Sequence, residues 1–406
     1  LGDPAAGGKG VTAAWLAGLL LVPAEDPGIR KGFDHFYNLE YPQAIAEFRK
    51  AVEAAPADPH RHNHLAQAVL FQMMFRAGAL ETELVTGGNP FLRRAKMEPA
   101  QEEQQLFAAS VGETLRLTGA ALEKNPRDAD AMYARGVALG FRGTYNFLVR
   151  RAWMDALRDI TDARKLHNRV AELAPDNVDA LMLQGVHDYI VGSLPWYYRT
   201  LGFLVGFRGD RERGIRTVRL VAEKGRWNRV DAKILLGVVA RRERRPQDAV
   251  PIILELLEEY PRNFLLLFEL SQMYADLGRK EDALRALDRI EELKRGGAPG
   301  FASLPLERIE FARGNLLFWY DEPEAAIRHL RRAVAGAERL DPNSAVGSWL
   351  RLGQCLDLLG KRQEALAAYR SAVQTAPSSY EAKLARRWQG RVFDQEEKRL
   401  LAKGSL

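Results

Sequence analysis

The chain has 406 residues, 47% of them hydrophobic, enough for one large core or a long series of small ones. Its 59 basic residues stand against 53 acidic ones, for a net charge of +6, but they are spread along the sequence and often lie near carboxylates, which argues against a nucleic-acid platform. Cys355 is the one cysteine, so an internal disulfide, a CxxC metal site and cysteine-pair redox chemistry are excluded.

Residues 1–24 read as a secretory signal peptide: Lys9, an apolar run from Val11 to Val22, and the small-x-small pattern Val22-Pro23-Ala24 ahead of Glu25-Asp26. The run is too short to span a bilayer comfortably, and no cysteine follows it to carry a lipid. Export, to the periplasm, is the expectation.

From there the sequence is rich in Ala, Leu, Glu, Arg and Lys, which favour helices. A set of small and large residues recurs along it. The first instance is Gly32, His35, Ala44, Phe48, Ala51 and Pro56; the last is Trp349, Gly353, Ala365, Tyr369, Ala372 and Pro377. Between them stand Gly237, Ala249, Ile253 and Pro261, then Tyr274, Ala283, Leu287 and Ile290, then Gly314, Ala326, Leu330 and Ala333, with Pro342 closing that unit. Small residues at fixed spacing let helices cross closely, and the larger ones fill the remaining grooves. The pattern resembles the tetratricopeptide (TPR) repeat, a pair of antiparallel helices with Gly or Ala at its eighth position, Ala at the twentieth and twenty-seventh, a large apolar residue at the twenty-fourth and Pro at the thirty-second. That resemblance implies an all-α fold, a superhelical solenoid of about eight helical hairpins. They fall at 25–58, 59–128, 129–177, 178–229, 230–263, 264–297, 305–343 and 345–379, with residues 380–406 as a C-terminal capping helix carrying Leu384, Trp388 and Phe393.

Three hairpins are lengthened in their middles. The second runs from Leu65 and Ala66 to Thr114, Thr118, Ala121 and Pro126, around the turn Thr86-Gly87-Gly88-Asn89-Pro90. In the third, Leu139 and Ala163 are 24 positions apart, against nine in the repeat; in the fourth, Asp188 and Gly214 are 26 apart. Equivalent loops of a solenoid line up on one edge, so these insertions are expected to meet. They are unusually apolar, with Phe71, Met73, Met74 and Phe75 in the first, Phe141, Tyr145, Phe147, Leu148 and Trp153 in the second, and Leu194 to Phe207 in the third. The candidate ligand or partner patch is therefore Phe147, Arg150, Trp153, Trp196, Tyr197, Tyr198, Arg199, Phe203, Phe207 and Arg208, where aromatics stand beside cations able to receive an acidic head group. The stretch from Gly185 through Gly209-Asp210-Arg211-Glu212 to Gly214 is similar to one in exported bacterial TPR proteins and in the eukaryotic TPR 39 and inclusion-clearance group. The architecture more distantly resembles the periplasmic TPR component of TRAP transporters, which implies a small or lipid-like ligand.

Other chemistry is sparse. His60, His62 and His64 alternate, and on a helix neighbours two apart diverge, so no metal site is expected. Asp188, beside His187 and Tyr189, is expected to face the partner helix, and Asp210 to cap the helix holding Gly214. The run from Arg241 to Arg245 reads as a helix C-terminus, and Cys355 as a small core residue. No nucleophile elbow, phosphate loop, zinc-protease or dinucleotide motif is present, so neither enzyme nor cofactor is expected. The leading expectation is a scaffold holding a protein or peptide partner in its groove, the alternatives being an apolar or lipid-like ligand held by the insertions, or attachment of that patch to a membrane surface.

Overall fold

Local capping signals set where each helix begins. Asp-Pro pairs open three of them: Asp26, Asp58 and Asp341 accept backbone N–H groups while Pro27, Pro59 and Pro342 occupy the first turn. Proline suits that position because its missing N–H had no helical partner there. In the computed structural model, which describes residues 26–80, 97–193 and 209–402, all regular structure is helical.

The helices come in antiparallel pairs. The first four hairpins are α1 (Pro27–Tyr37) with α2 (Tyr41–Ala54), α3 (Pro59–Arg76) with α4 (Gln101–Lys124), α5 (Ala129–Tyr145) with α6 (Trp153–Leu173), and α7 (Met182–Gly192) with α8 (Arg211–Lys224). They are followed by α9 (Arg229–Arg242) with α10 (Pro246–Glu259), α11 (Phe264–Asp276) with α12 (Lys280–Arg295), α13 (Leu306–Trp319) with α14 (Pro323–Ala335), and α15 (Pro342–Leu358) with α16 (Arg362–Thr375). Two short helices, α17 (Tyr380–Gly390) and α18 (Gln395–Ala402), finish the stack.

The crossings follow the repeat pattern. A Cβ on Gly32 would stand 2.4 Å from the Phe48 ring, one on Gly353 2.4 Å from Tyr369, one on Gly314 2.6 Å from Leu330, and one on Gly185 2.9 Å from Val218. In the third hairpin the large residue is His167, whose ring would meet a Gly136 Cβ at 2.3 Å. Ala44, Ala249, Ala283, Ala326 and Ala365 are all fully buried. Gly237 departs from this: a Cβ there would meet nothing within 4 Å.

The five unbroken hairpins also share a left-handed residue in the turn: Leu39, Arg244, Gly278, Asp321 and Gly360, with φ between 56° and 74°. Each lies seven residues after the small residue of the first helix. In the second and third hairpins the corresponding residues, Met73 and Gly143, remain helical and the first helix runs on.

The structure thereby corrects the expected loops. Phe71, Met73, Met74 and Phe75 belong to α3. In the third hairpin the extra residues lengthen both helices: α5 continues through a π-turn (Asn146–Arg150), and only residues 151–152 separate that turn from α6. Buried Asp159 pins the extension, accepting from Arg142 Nε at 2.9 Å, Arg142 Nη2 at 2.6 Å and Asn146 Nδ2 at 2.9 Å. Pro342, expected to close the seventh hairpin, instead starts α15 under its Asp341 cap.

A simple stack would let each hairpin touch only its neighbours. Here the first two also touch the fifth, sixth and eighth. Asn263 Nδ2 donates to the Tyr37 carbonyl at 2.7 Å, Arg262 N to Asn38 Oδ1 at 2.9 Å, and Asn343 Nδ2 to the Ala77 carbonyl at 3.1 Å. Tyr37 packs on Tyr260 with ring centres 5.0 Å apart, and Phe75 on Phe264 at 6.0 Å. One apolar core accordingly runs from Ile29 and Phe36 to Leu270 and Met273. At the other end, Trp388 and Phe393 bury themselves against Phe318, while Asp357 accepts from the Tyr369 hydroxyl, Arg362 and the Phe393 N–H.

Candidate functional site

Because the solenoid closes on itself, the first helices of the early hairpins face one another across a small space. A chamber of about 260 Å³ lies there. Its walls are Phe33 of α1, Asn63, Gln67 and Phe71 of α3, Tyr133 and Phe141 of α5, Met182 and Val186 of α7, and Trp227 and Asp231 at the start of α9. Along each helix the lining residues recur at i and i+4, as helical geometry requires for one face. A wider, more polar mouth of about 740 Å³ shares His60, His64, Tyr133 and Trp227 with it.

Asp179 holds Trp227 in place. Its carboxylate accepts the backbone N–H groups of Arg226, Trp227 and Asn228 at 3.0, 3.1 and 2.9 Å. Trp227 then lies 5.0 Å from the His64 ring and 6.1 Å from Phe33. His64 sits edge-on to Phe33 at 4.8 Å, and burial among these rings pushes its imidazole down to about 3. His167, stacked on Tyr133 at 5.2 Å, is pushed down to about 4, again by burial. Asp231 moves the opposite way. Burial raises its carboxyl to about 7, although Tyr37 and Gln67 pull it back, with Gln67 Nε2 at 3.4 Å. All three shifts have one cause: a low-dielectric space disfavours charge.

The three alternating histidines separate as their helix demands. At the mouth His60 pairs with Asp130 at 3.0 Å, and this pair overcomes burial to leave His60 raised; His62 contacts the Pro56 carbonyl at 2.9 Å, and His64 enters the chamber. Among the described residues no group of His, Cys, Asp and Glu is placed to hold a metal ion.

Of the patch read from the insertions, Phe147, Arg150 and Trp153 come together at the π-turn. Phe147 and Trp153 meet edge-to-face at 4.6 Å, and Arg150 donates to Asn146 at 2.9 Å. Trp153, Met154 and Leu157 beside them are 45%, 72% and 51% exposed. Trp196, Tyr197, Tyr198, Arg199, Phe203, Phe207 and Arg208 lie outside the described residues. The second and third insertions do adjoin: Met97 N donates to the Leu148 carbonyl at 3.2 Å, and the Tyr145 hydroxyl to Gln104 at 3.0 Å. In the fourth hairpin Asp188 is buried and held by Arg213 at 2.7 and 3.0 Å, and Asp210 caps α8 through Arg213 N at 2.8 Å. No helix among the described residues is long and apolar enough to cross a membrane.

The chamber itself escaped the sequence reading. The spacing of Asn63, Gln67 and Phe71, and of Tyr133, Val137 and Phe141, marked one helix face, but nothing marked which faces would meet.

No curated protein matches the chain. Among solved structures it is similar to yeast Tom70, at 15% identity over 89% of this chain and 94% of that one, with a TM-score of 0.42. It is also similar to a human IFIT1 dimer with PPP-AAAA, at 15% identity over 90% and 69%, TM-score 0.41. A tetratricopeptide repeat protein from Parabacteroides merdae aligns at 14% identity over 79% and 97%, TM-score 0.32. The family model for the tetratricopeptide repeat matches residues 234–298 and 311–382, the span from α9 to α17, and the fold is a solenoid of that repeat.

Proposed function

We propose that this protein is a non-enzymatic binding scaffold that holds a peptide segment of a partner protein against the inner side chains of its first five hairpins. Tetratricopeptide repeats commonly serve as protein-interaction scaffolds and are generally non-catalytic. The carrying observation is the convergence of five hairpins on one aromatic-walled chamber with a polar mouth. Such a space suits an anchoring side chain, with the rest of the segment lying across the mouth.

Gly140 provides the test. It lines the chamber, and a Cβ there would meet nothing within 4 Å, so a larger side chain fills the space without disturbing the helix. Peptides selected against the full chain from a random display library are expected to bind Gly140→Phe at least about tenfold more weakly, a loss of about 1.4 kcal/mol. Selected peptides that bind both proteins equally would overturn the reading.

The exposed run of Trp153, Met154 and Leu157 beside Arg150 supports a second reading, attachment to an anionic membrane surface. Vesicle sedimentation that is unchanged by Met154→Asp with Leu157→Asp would reject it. Export is proposed as well. Its support is that α1 has its own cap in Asp26, just after the Ala24-Glu25 junction where cleavage is expected. Amino-terminal sequencing of the secreted protein should begin near Glu25; a retained leader would refute this.

A further inference from the structure

We infer that the chamber's guest is an ammonium group on an apolar stem, as offered by a lysine side chain or a free amino terminus. The inference rests on the binding reading above and adds the chemistry of the anchor.

The chamber wall carries three polar groups short of partners: Asn63, His167 and Asp231. Asn63 is 3% exposed; its Nδ2 donates to the Ala134 carbonyl at 2.8 Å, which leaves Oδ1 with no partner. His167 is 5% exposed with neither ring nitrogen hydrogen-bonded, so its neutral imidazole keeps one N–H and one lone pair unpaired. The Asp231 carboxyl faces the Tyr37 hydroxyl and receives one long bond from Gln67 Nε2, at 3.4 Å. Among the described residues no lysine or arginine lines the chamber.

An ammonium group brings three donors and a charge. Its charge suits Asp231, and the faces of Phe33, Tyr133 and Trp227 attract cations through their ring quadrupoles. The mouth carries Asp26, Asp58, Asp130 and Asp179 against Arg61, Arg226 and His60, which pairs with Asp130. An anionic guest would find cations only at the mouth, in Arg61 and Arg226, and none within the chamber.

The pairing is linked to pH. Asp231 is faced by Tyr37 from α1, Tyr41 from α2, Gln67 from α3, Tyr133 from α5 and Asp179 from the turn before α7, with Arg229 on its own helix. Burial raises the hydroxyls of Tyr37, Tyr41 and Tyr133 above the usual phenol range, and it holds the Asp231 carboxyl at about 7. Ammonium uptake requires the carboxylate, so the affinity for a lysine ammonium should rise about tenfold from pH 6 to pH 8, and less for an α-amino group, which itself loses its proton near pH 8.

The experiment uses the full chain and two matched pairs at millimolar concentration: N-acetyl-lysinamide against N-acetyl-norleucinamide, and phenylalaninamide against N-acetylphenylalaninamide. Isothermal titration at pH 8 is expected to show binding of at least one amine, which identifies side chain or terminus as the source. The neutral partner of that pair should bind at least about tenfold more weakly. Asp231→Asn should remove the preference while the protein keeps its helical circular dichroism. Equal binding of the neutral compounds, an unaltered preference in Asp231→Asn, or no binding of either amine would overturn the inference. None of those outcomes touches the effect of Gly140→Phe on selected peptides, so the two readings fail separately.

Discussion

Single atoms decide where this chain can tolerate change. Gly353 and Gly140 both lie within first helices, yet a Cβ on Gly353 would press the Tyr369 ring at 2.4 Å while one on Gly140 would meet open space. Gly353→Ala should therefore cost about 1–3 kcal/mol by overpacking. Gly140→Ala should gain about 0.5–1 kcal/mol by removing backbone freedom from the unfolded chain. Urea midpoints of the two variants compare them directly. Arg244 is a further case, an exposed arginine held at φ 56°. Arg244→Gly should be neutral or stabilising by about 1 kcal/mol, because glycine adopts that conformation without strain. Asp231 adds a pH term. Its folded-state carboxyl, raised by burial to about 7, keeps its proton while the unfolded chain loses one near 4. Asp231 thus favours the fold most below about pH 4, and that contribution fades as pH rises to about 7. Asp231→Asn should gain on wild type across this window, by up to about 4 kcal/mol, in denaturation midpoints measured from pH 4 to 8.

At the scale of helices, the hairpins were legible where the repeat is regular. Gly32 with Phe48, Gly314 with Leu330 and Gly353 with Tyr369 marked crossings that the packing reproduces. The lengthened hairpins were less legible, because an excess of residues does not say whether it forms loop or helix. In the third hairpin the distinguishing sign was the absence of proline from residues 129–173, which allowed α5 and α6 to grow. The second and fourth insertions contain Pro90 and Pro195. The long α5–α6 pair depends on Asp159, so Asp159→Ala strands the buried amide of Asn146. A loss of about 1–3 kcal/mol is expected, with faster amide exchange at residues 142–150. Unchanged exchange there would show that the extension is held by its apolar contacts alone.

For the whole molecule, what the repeat pattern could not convey was closure. Repeats specify contacts between neighbours, whereas the bonds from Asn263 to Tyr37 and from Asn343 to Ala77 join segments more than 200 residues apart. Those contacts bring distant hairpins together, and the chamber is what separates a binding reading at α1, α3 and α5 from one at the exposed start of α6. Hydrogen exchange of the full chain with and without a selected peptide decides between them. Protection is expected in α3, in α5 and across residues 226–235, where the chamber walls lie. Protection confined to residues 147–158, with the chamber walls exchanging as in the free protein, would contradict the account.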